Sequence, residues 1–280
     1  MDMEKDWIAN AYEGMSRRQF LAQMTAAGAA IAGFAVASKA VAGEIITTPA
    51  DGLAVADAKV RSAGFDLPIY LARPAKAGKY PVVIILPEVW GMHEYIKDVV
   101  RRFAKRGFLA ITFEPYARTG GVLKVEDREA LMKVVNAVPD AQVMGDLDAI
   151  VAYAKKLPEA QADRIGVTGF CRGGLYTLLF AAQSPDVKAA VPWYGQIKPA
   201  KTAGIRTVGP LDLAVQIKAP VLGLYGEEDQ RSPLSVARDL NRAMPTSTLV
   251  VLPGLGHECF MESGPTFDAA VREFLTANAA

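Results

Sequence analysis

The chain has 280 residues, of which 51% are hydrophobic and 22% are charged, and its formal net charge is +1. A globular protein of this size buries enough apolar surface to fold without disulfide bonds. Because the net charge is close to zero, the composition gives no basis for an electrostatic nucleic-acid interface. We therefore expect a small-molecule partner.

The N-terminal residues have the pattern of an export signal. Arg17 and Arg18 precede a weakly apolar segment rich in alanine and glycine, residues 24–43, which ends in a small-x-small cleavage pattern. This pattern resembles a twin-arginine signal. We expect residues 1–42 to be that signal, read by the export machinery, residues 43–280 to form one domain, and the mature protein to be periplasmic. An amphipathic helix and an uncleaved membrane anchor are the alternatives.

The remainder of the chain alternates between strand and helix patterns. Residues 59–74 contain turn residues within a loose alternation, which predicts an antiparallel pair at a sheet edge. Later runs of β-branched residues predict strands that are covered on both faces. The fold class is therefore α/β, a single domain on a mainly parallel, doubly covered sheet. The predicted strands lie in residues 80–88, 108–116, 164–170, 187–195, 219–229 and 247–254, and the predicted helices in residues 96–107, 125–138, 141–157, 171–183, 232–244 and 264–278.

One cysteine lies between glycines where a predicted strand meets a predicted helix. The stretch from Gly169 to Gly173, GFCRG, fits the pattern glycine-x-nucleophile-x-glycine, whose tight turn presents the central side chain at the sheet edge. Cys171 would then lie at a helix N-terminus, where the helix dipole favours a thiolate. A small buried cysteine in a glycine-rich turn is the structural alternative.

A base and an acid follow the ends of later predicted strands. His257 comes just after residues 247–254, and histidine suits proton removal from a thiol because its ordinary pKa lies near neutrality. Asp229 follows the preceding strand. The resulting chain order of nucleophile, acid and histidine is the one that α/β-hydrolases use. Glu227 and Glu228 compete with Asp229 for the role of orienting the histidine.

The second histidine and the second cysteine have simpler interpretations. His93 is expected to be a loop residue near the start of a helix. Cys259, two residues after His257, is expected to be a small buried residue. In an oxidising compartment it could also form a disulfide bond with Cys171.

Over residues 59–275 the chain resembles the dienelactone hydrolases, cysteine members of the α/β-hydrolase fold. The resemblance rests on PEVWGMHEYIKDVVRRFAKRGF, EPYAR, GDLDAIVAYA, GFCRGG, WYG, YGEEDQRSP and GLGHECF, in the family's order. It implies that Cys171 is the nucleophile, His257 the base and Asp229 its partner. It also implies that Glu88 lies beside the cysteine and holds its resting thiol, and that the oxyanion is bound by the backbone N–H groups of Val89 and Arg172.

The resemblance is weaker for substrate recognition. The best-known family members bind a substrate carboxylate with an arginine four residues after the histidine, and that position is Met261 here. We therefore expect a poorer preference for anionic lactones. Arg128 lies in a segment that could line the pocket. The side chains that we expect to contact substrate are those of Arg172, Arg118, Trp90, Tyr194 and Met261.

These features predict a monomeric hydrolase that cleaves an ester or a lactone through a thioester on Cys171, without a metal or an organic cofactor. A general short-chain carboxylesterase is the alternative within the enzyme class. A non-catalytic envelope protein, in which Cys171 and Cys259 form a structural disulfide bond, is the alternative outside it.

Overall fold

The computed structural model describes residues 48–244, 246–257 and 265–278. The predicted signal, residues 1–42, lies outside the described residues. The strands are β1 (Leu53–Ser62), β2 (Phe65–Pro74), β3 (Tyr80–Leu86), β4 (Leu109–Phe113), β5 (Ala160–Phe170), β6 (Val187–Trp193), β7 (Val221–Gly226) and β8 (Ser247–Leu252). The helices are α1 (Glu94–Lys105), α2 (Arg128–Ala137), α3 (Asp140–Ala154), α4 (Arg172–Gln183), α5 (Pro210–Leu213), α6 (Leu234–Ala243) and α7 (Pro265–Asn278).

The strands form one eight-stranded sheet in the order β1-β2-β4-β3-β5-β6-β7-β8. β1 and β2 are an antiparallel pair at one edge, and β2 also runs antiparallel to β4. All later neighbours are parallel. The predicted edge pair and the mainly parallel sheet are therefore confirmed, and the architecture is that of an α/β-hydrolase.

Both faces of the central parallel strands are buried, as the unbroken β-branched runs predict. In β3, Val82 and Ile84 belong to the hydrophobic core that also contains residues of α3, α4 and α6. Val83 and Ile85 point to the other face, whose core includes residues of α1 and α7. None of the helices in the described part of the chain is long and apolar enough to cross a membrane.

The structure adds short elements that the sequence patterns do not predict. These are α5 and the 3₁₀ turns Ala117–Thr119 and Ala214–Gln216. Pro210 begins α5, and the Asp212 carboxylate accepts the Gly209 N–H over 2.8 Å, which caps the helix. A four-residue helix has too few apolar positions to produce a recognisable period.

Parallel pairing fixes where the functional loops lie. The carboxyl ends of β3, β5, β6, β7 and β8 all face the same edge of the sheet because these strands run in one direction. The catalytic residues that the sequence predicts lie in the loops that immediately follow these strands.

Candidate active site

Cys171 lies in a sharp turn between β5 and α4. Its backbone has φ 51° and ψ −109°, a left-handed φ that residues other than glycine rarely adopt. The flanking glycines are required by close packing: a Cβ on Gly169 would lie 2.5 Å from the Gly173 carbonyl oxygen, and a Cβ on Gly173 would lie 2.1 Å from the Leu86 carbonyl oxygen. Strand, turn and helix therefore approach too closely for a side chain at either glycine.

The loop after β8 brings His257 to this turn. Its Nε2 lies 3.1 Å from the Cys171 sulfur, although 86 residues separate the two in the chain. Its Nδ1 lies 2.8 Å from Asp229 Oδ2 and 3.0 Å from Asp229 Oδ1. One imidazole thus bridges a thiol and a carboxylate, which is the geometry of a nucleophile, a general base and its orienting acid.

Asp229 is held rigidly by donors other than the histidine. Its Oδ1 accepts the backbone N–H groups of Arg231 and Ser232 over 2.8 and 2.9 Å. The residue is 3% exposed. Burial acts to raise the pKa of this carboxyl, but the hydrogen bond and charge of His257, with the two backbone N–H groups, outweigh it and the pKa is lowered. Asp229 is therefore ionised and fixed at neutral pH.

The charge state of His257 follows from the same contacts. Burial would lower the pKa of the imidazole, but hydrogen bonds to Asp229 and Cys171 and the negative charge of both groups raise it to about 9. A protonated His257 beside the sulfur favours the thiolate as its counter-ion. The ring is also held in place by Tyr194, whose ring packs edge-on against it at a centroid distance of 4.9 Å.

Glu88 enters the same pocket from the loop after β3. The residue is only 7% exposed. Its Oε2 lies 3.4 Å from His93 Nε2, and its Oε1 accepts the Tyr194 hydroxyl over 3.5 Å. The Tyr116 hydroxyl donates to the backbone carbonyl of Glu88 over 3.3 Å. The sequence predicts only a loop residue at His93, whereas in the structure its ring contacts the Glu88 carboxylate in the pocket.

The two predicted oxyanion donors come from different elements of the fold. Val89 lines the pocket in the loop after β3. Arg172 is the first residue of α4, where a backbone N–H has no acceptor within the helix. The start of α4, which carries Arg172, packs closely against the end of β3, which precedes Val89, because the Gly173 backbone leaves no room for a side chain there.

The pocket around Cys171 combines apolar walls with two guanidinium groups. Trp90 and Tyr194, two of the expected contact residues, line it, and Arg128 does as well. Arg231 and the α2 residues Leu131 and Met132 are further lining residues that the sequence reasoning missed. The lining consists of Glu88, Val89, Trp90, Arg128, Leu131, Met132, Cys171, Tyr194, Arg231 and His257.

Arg118 is a correction to the expected substrate contacts, because it does not line this pocket. Its guanidinium donates to both oxygens of the fully buried Asp146 carboxylate, over 2.6 and 2.8 Å, and to the Ser62 carbonyl over 2.9 Å. It also stacks on the Phe65 ring at 4.8 Å. A buried acid is costly without a partner, so Arg118 serves the packing of α3 against the β1–β2 hairpin.

The side chain of Arg172 also differs from its expected role. It is 6% exposed, does not line the pocket, and donates from Nη2 to Asn136 Oδ1 over 2.7 Å. Asn136 is in the last turn of α2, the helix that carries Leu131 and Met132. The Arg172 guanidinium therefore stabilises the position of α2, which lines the pocket, and does not itself enter the pocket.

Two predicted residues, Met261 and Cys259, lie outside the described residues. The Cys171 thiol is free and partly exposed. Within the described part of the chain, no cluster of three or more histidine, cysteine or acidic side chains is arranged to hold a metal ion.

Comparison with known proteins gives a consistent family. The model of the dienelactone hydrolase family matches residues 67–276. A protein of Methylorubrum extorquens, provisionally named carboxymethylenebutenolidase, is 41% identical over 260 residues, which cover 91% of this chain and 88% of that protein. The same provisional name belongs to an Escherichia coli K12 protein that is 37% identical over 86% of this chain and 90% of its own length.

A solved structure is similar over almost its whole length. The crystal structure of a provisionally named dienelactone hydrolase from Klebsiella pneumoniae superposes with a TM-score of 0.75 at 36% sequence identity, covering 81% of this chain and 99% of that one. The family match spans most of the chain and includes all the strands from β3 onward. The chain therefore belongs to the dienelactone hydrolase family and is a hydrolase.

Proposed function

We propose that this chain hydrolyses an ester or a lactone through a Cys171–His257–Asp229 triad and a thioester intermediate. The observation that carries the proposal is the single imidazole that lies 3.1 Å from the Cys171 sulfur and 2.8 Å from an Asp229 oxygen. The positive φ of Cys171 further supports the proposal. Such backbone strain is typical of turns that present a catalytic side chain to the substrate.

In the first step the Cys171 sulfur attacks the substrate carbonyl carbon. The S–C bond forms, the carbonyl π electrons move to oxygen, and the thiol proton resides on His257. Collapse of this intermediate breaks the C–O bond, and His257 gives its proton to the departing alkoxide. In a lactone that alkoxide remains attached to the acyl chain, so ring opening and acylation are one event.

The developing oxyanion requires fixed donors in a site shielded from bulk water. We assign this role to the backbone N–H groups of Val89 and Arg172, one from the loop after β3 and one from the first turn of α4. Loss of one such donor typically costs about 3 to 4 kcal/mol of transition-state stabilisation. The helix dipole at the start of α4 acts in the same direction.

In the second step water attacks the thioester carbon. His257 takes a proton from the water, the C–S bond breaks, and the Cys171 thiolate leaves beside the protonated His257, which regenerates the enzyme. Asp229 keeps Nδ1 of the ring protonated throughout, so that Nε2 faces the sulfur and the water. The fixed Asp229 carboxylate, with two backbone N–H donors, is suited to this role.

The pocket favours substrates that carry an anionic group near the scissile bond. Arg128 and Arg231 line it from different elements, and both are exposed at its mouth. Among the described residues, neither guanidinium makes a hydrogen bond or an ion pair with an acidic side chain. We propose that these two arginines attract a substrate carboxylate, which would offset the methionine that stands at position 261 in place of the family's arginine.

We also propose that the protein is exported to the periplasm by its N-terminal residues and acts there as a monomer. The paired arginines Arg17 and Arg18 and the apolar segment after them support export. One chain supplies every member of the proposed triad, which supports a functional monomer. Cell fractionation of wild type and the R17K/R18K variant tests export, because the variant should remain in the cytoplasm.

Hydrolysis of a short activated ester and of a carboxylate-bearing lactone tests the mechanism. The Cys171→Ala variant should lose activity by at least about 10³-fold on both substrates, whereas Cys259→Ala should retain it. Wild-type rates in the Cys171→Ala variant would refute the thioester mechanism.

A further inference from the structure

Each oxygen of the Glu88 carboxylate lies near one polar side chain. His93 Nε2 lies 3.4 Å from Oε2, and the Tyr194 hydroxyl lies 3.5 Å from Oε1. The family resemblance implies that this glutamate holds the resting thiol of the nucleophile. In this chain His257 Nε2 lies 3.1 Å from the Cys171 sulfur, and among the described residues no hydrogen bond joins Glu88 to that sulfur. Glu88 and Cys171 therefore form hydrogen bonds with different side chains.

The placement of His93 makes it a directed partner for Glu88. The residue lies at the N-cap of α1, where its carbonyl accepts the Lys97 N–H over 3.2 Å. Its ring stacks on that of Tyr95 with an interplanar angle of 13°. The backbone and the ring plane of His93 are thus both fixed, and Nε2 faces the pocket carboxylate. A tautomer or an imidazolium with a proton on Nε2 donates to Glu88.

The other acid near His93 is already satisfied. Glu114 accepts the Met92 N–H over 2.8 Å and the Tyr116 N–H over 3.0 Å. Burial raises the pKa of the Glu114 carboxyl despite these hydrogen bonds and the nearby His93. Glu114 therefore holds the loop backbone and does not compete strongly with Glu88 for the histidine.

A carboxylate that is free to approach a thiol opposes its ionisation, because two negative charges would then share one small site. A donor that holds the carboxylate elsewhere removes this penalty. We propose that His93 is a positioning residue that holds the Glu88 carboxylate off the Cys171 sulfur, so that thiolate formation does not depend on the substrate. This inference rests on the proposed function of Cys171 as the nucleophile.

The rate of Cys171 alkylation by iodoacetamide tests the inference. Alkylation requires the thiolate but neither the oxyanion hole nor an ester, so its outcome is separate from that of the hydrolysis assay. Rates at pH 7 are compared for wild type, His93→Ala, Glu88→Gln and the double variant, with the modified cysteine located by peptide mass. Thermal unfolding of each protein identifies any variant that fails to fold.

His93→Ala should slow alkylation by up to about tenfold, because a Glu88 carboxylate released toward the sulfur opposes the negative charge of the thiolate. Glu88→Gln should react at least as fast as wild type. The double variant should react within about twofold of Glu88→Gln, because His93 acts only through the carboxylate. His93→Gln, which keeps a donor, should lie between wild type and His93→Ala.

Three results would overturn the inference. The first is an unchanged alkylation rate in His93→Ala. The second is an equal loss when His93 is removed in the wild-type and Glu88→Gln backgrounds, which would mean that the histidine acts without the glutamate. The third is slower alkylation in Glu88→Gln than in wild type, which would mean that the carboxylate assists thiolate formation. If instead Cys171→Ala keeps ester hydrolysis, the proposed function fails while these alkylation rates remain informative about Glu88 and His93.

Discussion

His257 Nδ1 lies 2.8 Å from Asp229 Oδ2, and the carboxylate is itself fixed by the backbone N–H groups of Arg231 and Ser232. The first contact joins the loop after β8 to the loop after β7, and the other two lie within the loop after β7. Because the carboxylate cannot rotate away, the tautomer and the orientation of the imidazole are both determined by Asp229.

Replacing that carboxylate should impair catalysis more than binding. Asp229→Asn keeps the size of the side chain but can present its amide to the ring, which favours the wrong tautomer, so kcat should fall by about 10² to 10⁴-fold with little change in KM. Asp163→Asn is a matched control at an exposed position. Steady-state kinetics on one ester measures both. Equal kcat values for Asp229→Asn and wild type would contradict the assigned role.

The raised pKa of His257 predicts a pH dependence of folding stability. Its folded pKa is about 9 against an ordinary value of 6.5, so the protonated ring stabilises the folded state fully below pH 6.5. That contribution should be lost as the pH rises through 9, up to a limit of about 3 kcal/mol. Urea unfolding of wild type and His257→Gln at pH 6 and pH 9.5 measures it. The difference in unfolding free energy between the two proteins should shrink with rising pH, and a constant difference would argue against a charged His257.

The ion pair of Arg118 with Asp146 should matter for stability and not for substrate binding. Arg118→Ala would leave a fully buried carboxylate without its partner, which costs about 3 to 5 kcal/mol of unfolding free energy. Arg61→Ala is the control, because both members of the Arg61–Asp66 pair are exposed and the pair should contribute little to stability. Denaturant unfolding compares them, and KM should be unchanged in the folded fraction. A selective rise in KM for anionic substrates with unchanged stability would restore Arg118 as a substrate contact.

The two arginines at the pocket mouth should discriminate between anionic and neutral substrates. Arg128→Gln and Arg231→Gln should each raise KM for a carboxylate-bearing lactone by about three- to tenfold, corresponding to the modest energy of a partly exposed ion pair. KM for a neutral ester of similar size should change little. Arg238→Gln, at an exposed position of α6 that does not line the pocket, is the control. Equal effects on both substrates would point to a structural role for these arginines.

The backbone of the site could be predicted from the sequence because its determinants are local. Gly169 and Gly173 mark the turn around Cys171, and their packing distances show why no larger residue fits. The positions of Asp229 and His257 follow from one rule, that the carboxyl ends of parallel strands share an edge. Their meeting with Cys171 therefore required only a correct order of strands and helices.

Side-chain directions could not be predicted in the same way. Arg118 and Arg172 both lie next to segments of the site, yet each donates to a polar side chain of a helix, Asp146 or Asn136, that is 28 or 36 residues away. Which partner an arginine finds depends on the packing of α2 and α3, and no local pattern encodes it. Arg231 was missed for the same reason, since the loop after β7 could turn its side chain either way.

Direct detection of the acyl-enzyme tests the central claim most sharply. Wild-type protein mixed with a slowly hydrolysed ester, and quenched in acid within the first turnovers, should gain the mass of one acyl group, and peptide mapping should find that group on Cys171. The adduct should be absent from Cys171→Ala, because the acyl group then has no sulfur to which it can attach. An active wild-type enzyme that carries its acyl group on another residue would contradict the account.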